Sequence, residues 1–148
     1  VIPASAKVAE YLHLKPGDLV YQLTRLRSAD DEPQMLETTH LPHALFPGLD
    51  TIDFEQASLY NTLDQQFDCR VIAADMGFEP ILLTAYEAKL LKTRANTPAQ
   101  LLELVAYDQN GVRVEYNKSI VRGDKARLLF HVRRQIRNEQ ESMIEWVS

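Results

Sequence analysis

The sequence predicts an α+β domain, a mainly antiparallel sheet with flanking helices. Two strand–turn–strand patterns carry that expectation. Residues 19–27 return after Asp30-Asp31-Glu32-Pro33 as residues 35–38, and residues 101–107 return after Asp108-Gln109-Asn110-Gly111 as residues 112–121. The Asn-Gly pair in the second turn is the strongest short hairpin signal. Between the two hairpins lies a segment of helical period, with Leu59, Leu63 and Phe67 at four-residue spacing behind the N-cap candidate Ser58.

Taken in order, the first element is a short helix capped near Ser5, with Val8, Ala9 and Leu12 facing inward. Lys15-Pro16-Gly17-Asp18 ends it in a turn and leads into the first hairpin. Residues 41–48 carry two prolines and read as an irregular connection whose Leu45-Phe46 pair plugs the core. Asp53 to Gln56 has the spacing of a capping box and predicts a turn of helix before the helix at residues 59–67. Residues 70–84 read as a long extended segment that Gly77 and Pro80 break or bulge. A short helix over residues 85–91 precedes the Asn-Gly hairpin. Arg122-Gly123-Asp124-Lys125 then turns the chain toward a last strand at residues 128–132, with Asp124 tying down the loop. The tail ends in Met143, Ile144, Trp146 and Val147, an apolar group that needs cover at a dimer interface or a sheet edge.

Composition narrows the function. A chain of 148 residues with 45% hydrophobic content suits one globular domain over residues 1–148. Its net charge of −5 and pI near 5.3 argue against nucleic-acid binding by this segment itself. No apolar run approaches the ~20 residues of a membrane span, and no signal peptide is present. The single cysteine, Cys69, excludes an internal disulfide and fits a reducing cytoplasm. The chain starts at Val1, without methionine and in the middle of a pattern, as a piece of a longer protein does.

The first hairpin holds charges in unexpected places. Strand side chains alternate faces, so Leu19, Tyr21, Leu23, Arg25 and Arg27 share one face. A guanidinium on that more apolar face costs desolvation energy unless an anion meets it. A three-residue loop at Asp30-Asp31 pairs Arg25 with Glu37 and puts Glu37 on the arginine face; a two-residue loop puts it behind the sheet. Two readings stand side by side: a buried anion site, or an exposed cross-strand ion pair worth a few tenths to ~1 kcal/mol. In the second hairpin Val112, Val114, Tyr116 and Ile120 alternate against Arg113, Glu115, Asn117 and Ser119, which places Glu115 on the polar, solvated side.

Together these segments resemble a family. Ala4, Val8-Ala9, Leu12, Leu14 and Gly17, then Arg25-Leu26-Arg27-Ser28-Ala29-Asp30, Glu37, Leu41-Pro42, Phe46-Pro47, Ser58-Leu59-Tyr60, Tyr107-Asp108, Val114-Glu115 and Arg122-Gly123-Asp124 resemble, in order and spacing, the UTRA domain. That domain is the effector-binding half of the HutC branch of GntR-type bacterial transcription regulators. The resemblance spans roughly residues 1–133. It implies the chorismate-lyase-like α+β fold, a winged helix-turn-helix DNA-binding domain upstream of Val1, a cytoplasmic homodimer, and repression relieved by a small metabolite. It also implies ligand-binding roles for Arg25, Arg27, Glu37, Ser58, Tyr60 and Glu115, the positions that hold phosphorylated sugars in several relatives. Two guanidiniums and a serine at a helix N-terminus suit a phosphate or carboxylate, and the two glutamates can accept hydrogen bonds from hydroxyl or amino groups. Asp31 stands where many relatives have a turn glycine. Val121 stands where some phosphosugar-binding relatives have tyrosine, which leaves a non-sugar effector open.

The competing readings are an enzyme of the chorismate-lyase type acting on an aromatic carboxylate, and a dimerisation module with a vestigial pocket. The ordered motifs favour the sensor. His40 and His43 flank Pro42 and lack helical metal-ligand spacing, so neither a metal nor a cofactor is expected. Cys69 lacks a nucleophile's context and reads as a structural thiol.

Overall fold

A computed structural model describes residues 1–125 of the chain. The last strand expected at residues 128–132 and the apolar tail at residues 143–147 lie outside the described residues. The elements are β1 (Ile2–Pro3), α1 (Ala6–Leu12), β2 (Leu19–Ala29), β3 (Glu32–Pro42), α2 (Leu59–Phe67), β4 (Val71–Leu82), α3 (Ala85–Leu90), β5 (Pro98–Asp108) and β6 (Arg113–Arg122). Among the described residues, six strands form one sheet in the order β1-β2-β3-β6-β5-β4, every neighbouring pair antiparallel. The predicted α+β class is the one observed.

The two faces of the sheet carry different helices because adjacent strand residues point opposite ways. Val20 packs with Val8, Ala9 and Leu12 of α1, and Leu36 packs with Leu83, Ala88 and Leu91 around α3. Tyr21 and Leu41 pack instead with Leu59 and Leu63 of α2 and with Phe46 and Leu49. Since Leu26 pairs with Leu36, and Arg25 with Glu37, α1 and α3 share one face and α2 covers the other. Each fully buried leucine contributes about 1.5–3 kcal/mol. Local signals agree with this packing. The Ser5 hydroxyl accepts from the Val8 amide, and Thr84 and Glu87 form a reciprocal capping box that opens α3.

Several expectations are corrected. The first hairpin closes on two residues rather than three: Asp30 and Asp31 both sit in the left-handed region, at φ 51° and 61°, as a tight primed turn requires. A bulge between Arg27 and Ser28 then shifts the register, from Ser28 opposite Pro33 to Arg27 opposite Met35, with Gln34 as the extra residue. Glu37 therefore reaches the arginine face through a bulge, not through loop length. Neither Gly77 nor Pro80 interrupts β4; its register shift lies at Val71–Ala73, and a proline is tolerated because β4 is an edge among the described strands. Of the plug pair, Phe46 is buried at 2% exposure whereas Leu45 is exposed. Residues 53–57 form a single turn in which the Asp53 carboxylate accepts from the Glu55 amide, without a reciprocal capping box. β6 begins at Arg113, one residue after the expected Val112, and β5 already begins at Pro98.

The turn after β6 is anchored at Gly123, whose amide donates to the Pro98 carbonyl at 3.1 Å. A Cβ there would lie 2.8 Å from that same carbonyl oxygen. Gly123→Ala is expected to cost about 1–3 kcal/mol, the usual range for forcing backbone apart, measured as a lower urea midpoint at unchanged slope.

Candidate functional site

A cavity of about 560 Å³ opens between the sheet and the N-terminal end of α2. Arg25, Arg27, Glu37, Ser58, Tyr60 and Glu115 all line it. β2 supplies the arginines, β3 supplies Glu37, β6 supplies Glu115, and the start of α2 supplies Ser58 and Tyr60. The four strand residues face one way because Arg25 pairs with Glu37, Glu37 with Ser119, and Ser119 keeps step with Glu115 along β6.

The electrostatics are asymmetric. Glu37, 8% exposed, forms an ion pair with the Arg25 Nη2 atom and approaches the Arg27 Nε atom at 3.7 Å. Two guanidiniums thus share one carboxylate. The Arg25 Nε–H is buried and, among the described residues, has no hydrogen-bond partner. The Arg27 side chain remains half exposed. Ser58 occupies the N-cap position of α2, yet its side chain makes no capping bond, which corrects the expectation of a capping serine. Ser58 lines the cavity at the start of a helix whose first-turn amides have no carbonyl partner within the helix.

At the other end of the site, Tyr60 donates its hydroxyl to Glu115 Oε2 at 2.7 Å. Glu115 is 3% exposed, against the expectation of a solvated side chain. β6 is an inner strand with α2 above it, so the polar alternation marks a lined cavity rather than a wet surface. Burial pushes the Glu115 carboxyl above the usual carboxylate range and Glu37 adds to the rise, against lowering contributions from Tyr60, Arg25 and Asn117. Burial likewise raises the Tyr60 phenol, with Glu115 beside it.

A carboxyl with a raised pKa binds its proton more tightly in the folded chain than in the unfolded one. Its stabilising contribution is complete below the ordinary carboxylate range and is lost as pH rises through the raised pKa. Glu115→Gln keeps an acceptor for Tyr60 and removes the charge. The variant is expected to gain stability over wild type from acid to neutral pH, read from urea unfolding at pH 4 and pH 8. A constant difference between the two pH values contradicts this cause.

Asn117 and Ser119 also line the cavity, as do Phe54, Leu59, Met76, Leu102 and Leu104. Sequence reasoning placed Asn117 and Ser119 on the Glu115 face but gave them no role; the alternation itself was the available signal. The apolar members had none, since strand leucines read as core. Val121 is buried and is not among the cavity residues. His40 and His43 stack separately, on Tyr116 and Tyr21, and among the described residues no group of three or more metal-ligating side chains is assembled. Burial pushes the Cys69 thiol up to about 11, which makes it unreactive at neutral pH. The Arg122–Asp124 pair ties the turn after β6, as expected. No helix among the described residues is long and apolar enough to cross a membrane.

Comparison with known proteins agrees with this geometry. The UTRA domain family model matches residues 1–127. The HTH-type transcriptional repressor PhnF of Mycolicibacterium smegmatis is 38% identical over 125 residues, 84% of this chain and 50% of PhnF. The HTH-type transcriptional repressor NagR of Bacillus subtilis is 30% identical over 125 residues, 84% of this chain and 51% of NagR. The chain therefore spans about half the length of these curated relatives. Among solved structures, the effector domain of PhnF from Mycobacterium smegmatis superposes with a TM-score of 0.80 at 33% identity, covering 88% of this chain and 82% of that one. The C-terminal domain of Yurk from Bacillus subtilis gives 0.80 at 27% identity, covering 84% and 86%.

Proposed function

This chain belongs to the UTRA domain family of GntR-type regulators, and from that premise we propose that it is the sensing half of a transcriptional repressor, binding a small anionic effector at Arg25 and Arg27. One observation carries the reading: among the described residues, two arginines have a single contacting carboxylate, one guanidinium N–H is buried without a partner, and the serine at a helix start is uncapped, all on one cavity. Charge-assisted hydrogen bonds from such groups hold a phosphate or carboxylate. A phosphorylated sugar and a small carboxylate both meet the charge requirement.

On this reading DNA contact belongs to a separate winged helix-turn-helix domain upstream, the working unit is a cytoplasmic homodimer, and effector binding shifts the relative affinities of two arrangements for DNA. The chorismate-lyase alternative is less well supported, since the relatives are named as repressors. Thermal unfolding in the presence of phosphosugars, inorganic phosphate and small carboxylates tests the proposal. Ligand at a hundred times its dissociation constant adds about 2.7 kcal/mol. Arg27→Ala is expected to abolish that gain while leaving the unliganded midpoint nearly unchanged, because Arg27 is half exposed and contacts Glu37 only at 3.7 Å. An unchanged gain removes Arg27 from the site.

A further inference from the structure

We propose that the effector carries, beside its anionic group, an apolar body (an alkyl, acyl or aryl group) held against the β4–β5 half of the cavity. The inference rests on the anion-binding reading and adds the class of ligand. The cavity side of the sheet divides sharply at the boundary between β6 and β5. Leu104 stands opposite Asn117, Leu102 opposite Ser119, and Met76 of β4 opposite Leu104. All of these line the cavity. One side of the boundary is thus polar and the other is hydrocarbon, with paired Cβ atoms only about 4.5–5.5 Å apart. β2 and β5 are three strand spacings apart, about 14 Å, a gap that the long arginine side chains and the body of the ligand span together.

The polar half offers little to a polyol. Asn117 Nδ2 donates to Thr39 Oγ1 at 2.8 Å, and Ser119 Oγ donates to Asn117 Oδ1 at 2.8 Å. One oxygen of Glu37 is committed to Arg25, and one oxygen of Glu115 to Tyr60. A hydroxyl-rich ligand competes with these pairs for the donors and acceptors already in use. Two cationic donors stay available beside the uncapped Ser58: the Arg25 Nε–H, buried without a partner among the described residues, and the half-exposed Arg27 guanidinium. Unsatisfied cationic donors beside a wall of Met76, Leu102 and Leu104 match a ligand that is an anion at one end and hydrocarbon at the other.

Isothermal titration of the 148-residue chain with inorganic phosphate, phenyl phosphate and glucose 6-phosphate at one ionic strength tests this. Phenyl phosphate is expected to bind at least about tenfold tighter than either of the others, and tenfold corresponds to about 1.4 kcal/mol. The advantage over inorganic phosphate is expected to fall toward one in Leu104→Gln. Met76→Gln, on an exposed rim position that folding tolerates, is expected to reduce it in the same direction. Glucose 6-phosphate binding as tightly as phenyl phosphate overturns the inference, as does an advantage unchanged in Met76→Gln. If none of the three anions binds, or if Arg27→Ala binds them as wild type does, the anion-binding reading itself fails and takes the inference with it.

Discussion

Arg25→Ala is expected to lose about 2–4 kcal/mol of stability as well as effector binding, unlike Arg27→Ala, which is expected to lose binding alone. The reason is the partner left behind. Glu37 lies under α2 at 8% exposure, and its close ion pair is with Arg25. Breaking a buried pair from one side strands a charge at about 3–5 kcal/mol; the residual exposure of the two side chains and the nearby Arg27 reduce that cost. Removing both partners tests the cause. The double variant Arg25→Ala/Glu37→Gln is expected to recover most of the lost stability while remaining unable to bind anions. Urea unfolding gives the first quantity and titration with effector gives the second. A double variant as unstable as the single one means that Arg25 stabilises by packing rather than by charge.

The second large effect is expected at Arg122, away from the cavity. The residue is 7% exposed, and its guanidinium donates through Nη1 to the Leu91 carbonyl at 3.1 Å and the Pro33 carbonyl at 3.4 Å. Nε and Nη2 form a two-point contact with Asp124, at 3.0 and 2.8 Å. One side chain thus joins the tip of the β2–β3 hairpin, the end of α3 and the turn after β6. Arg122→Ala leaves two carbonyls without their donor and a void, at about 2–4 kcal/mol in thermal or urea unfolding. Arg122→Lys is expected to rescue little, because an ammonium cannot reproduce the planar fork. A lysine variant as stable as wild type reduces the role of Arg122 to charge alone. The hairpin that Arg122 anchors carries Arg25 and Arg27, so the alanine variant is also expected to weaken effector binding.

Much of this architecture was legible because it is local. Ser5 capping, the four-residue spacing of Leu59, Leu63 and Phe67, and the Asn-Gly turn each depend on a few consecutive residues. The pairing of Arg25 with Glu37 was legible only as one of two registers. Tertiary structure reached it by a route that the turn residues did not announce, a two-residue turn followed by a bulge at Gln34. The faces of β6 were readable from alternation, but their meaning was not. Whether Glu115 meets water or a cavity depends on where α2 lands, and α2 is placed by Tyr21, Leu41 and Phe46 from distant parts of the chain.

Read alone, the amino-acid string yields the order of the described elements, the family resemblance and, through that resemblance, six polar residues as site candidates. Local periodicity and turn chemistry act within a few residues and can be read off a string. That Met76, Leu102 and Leu104 line one cavity with those residues, that the Ser58 side chain makes no capping bond, and that Glu115 is buried is visible only in the folded chain. Those three facts arise from strand order and helix placement, which set long-range burial. Desolvation gives a carboxylate or a guanidinium its chemistry, and burial is a property of the assembled sheet rather than of any segment within it.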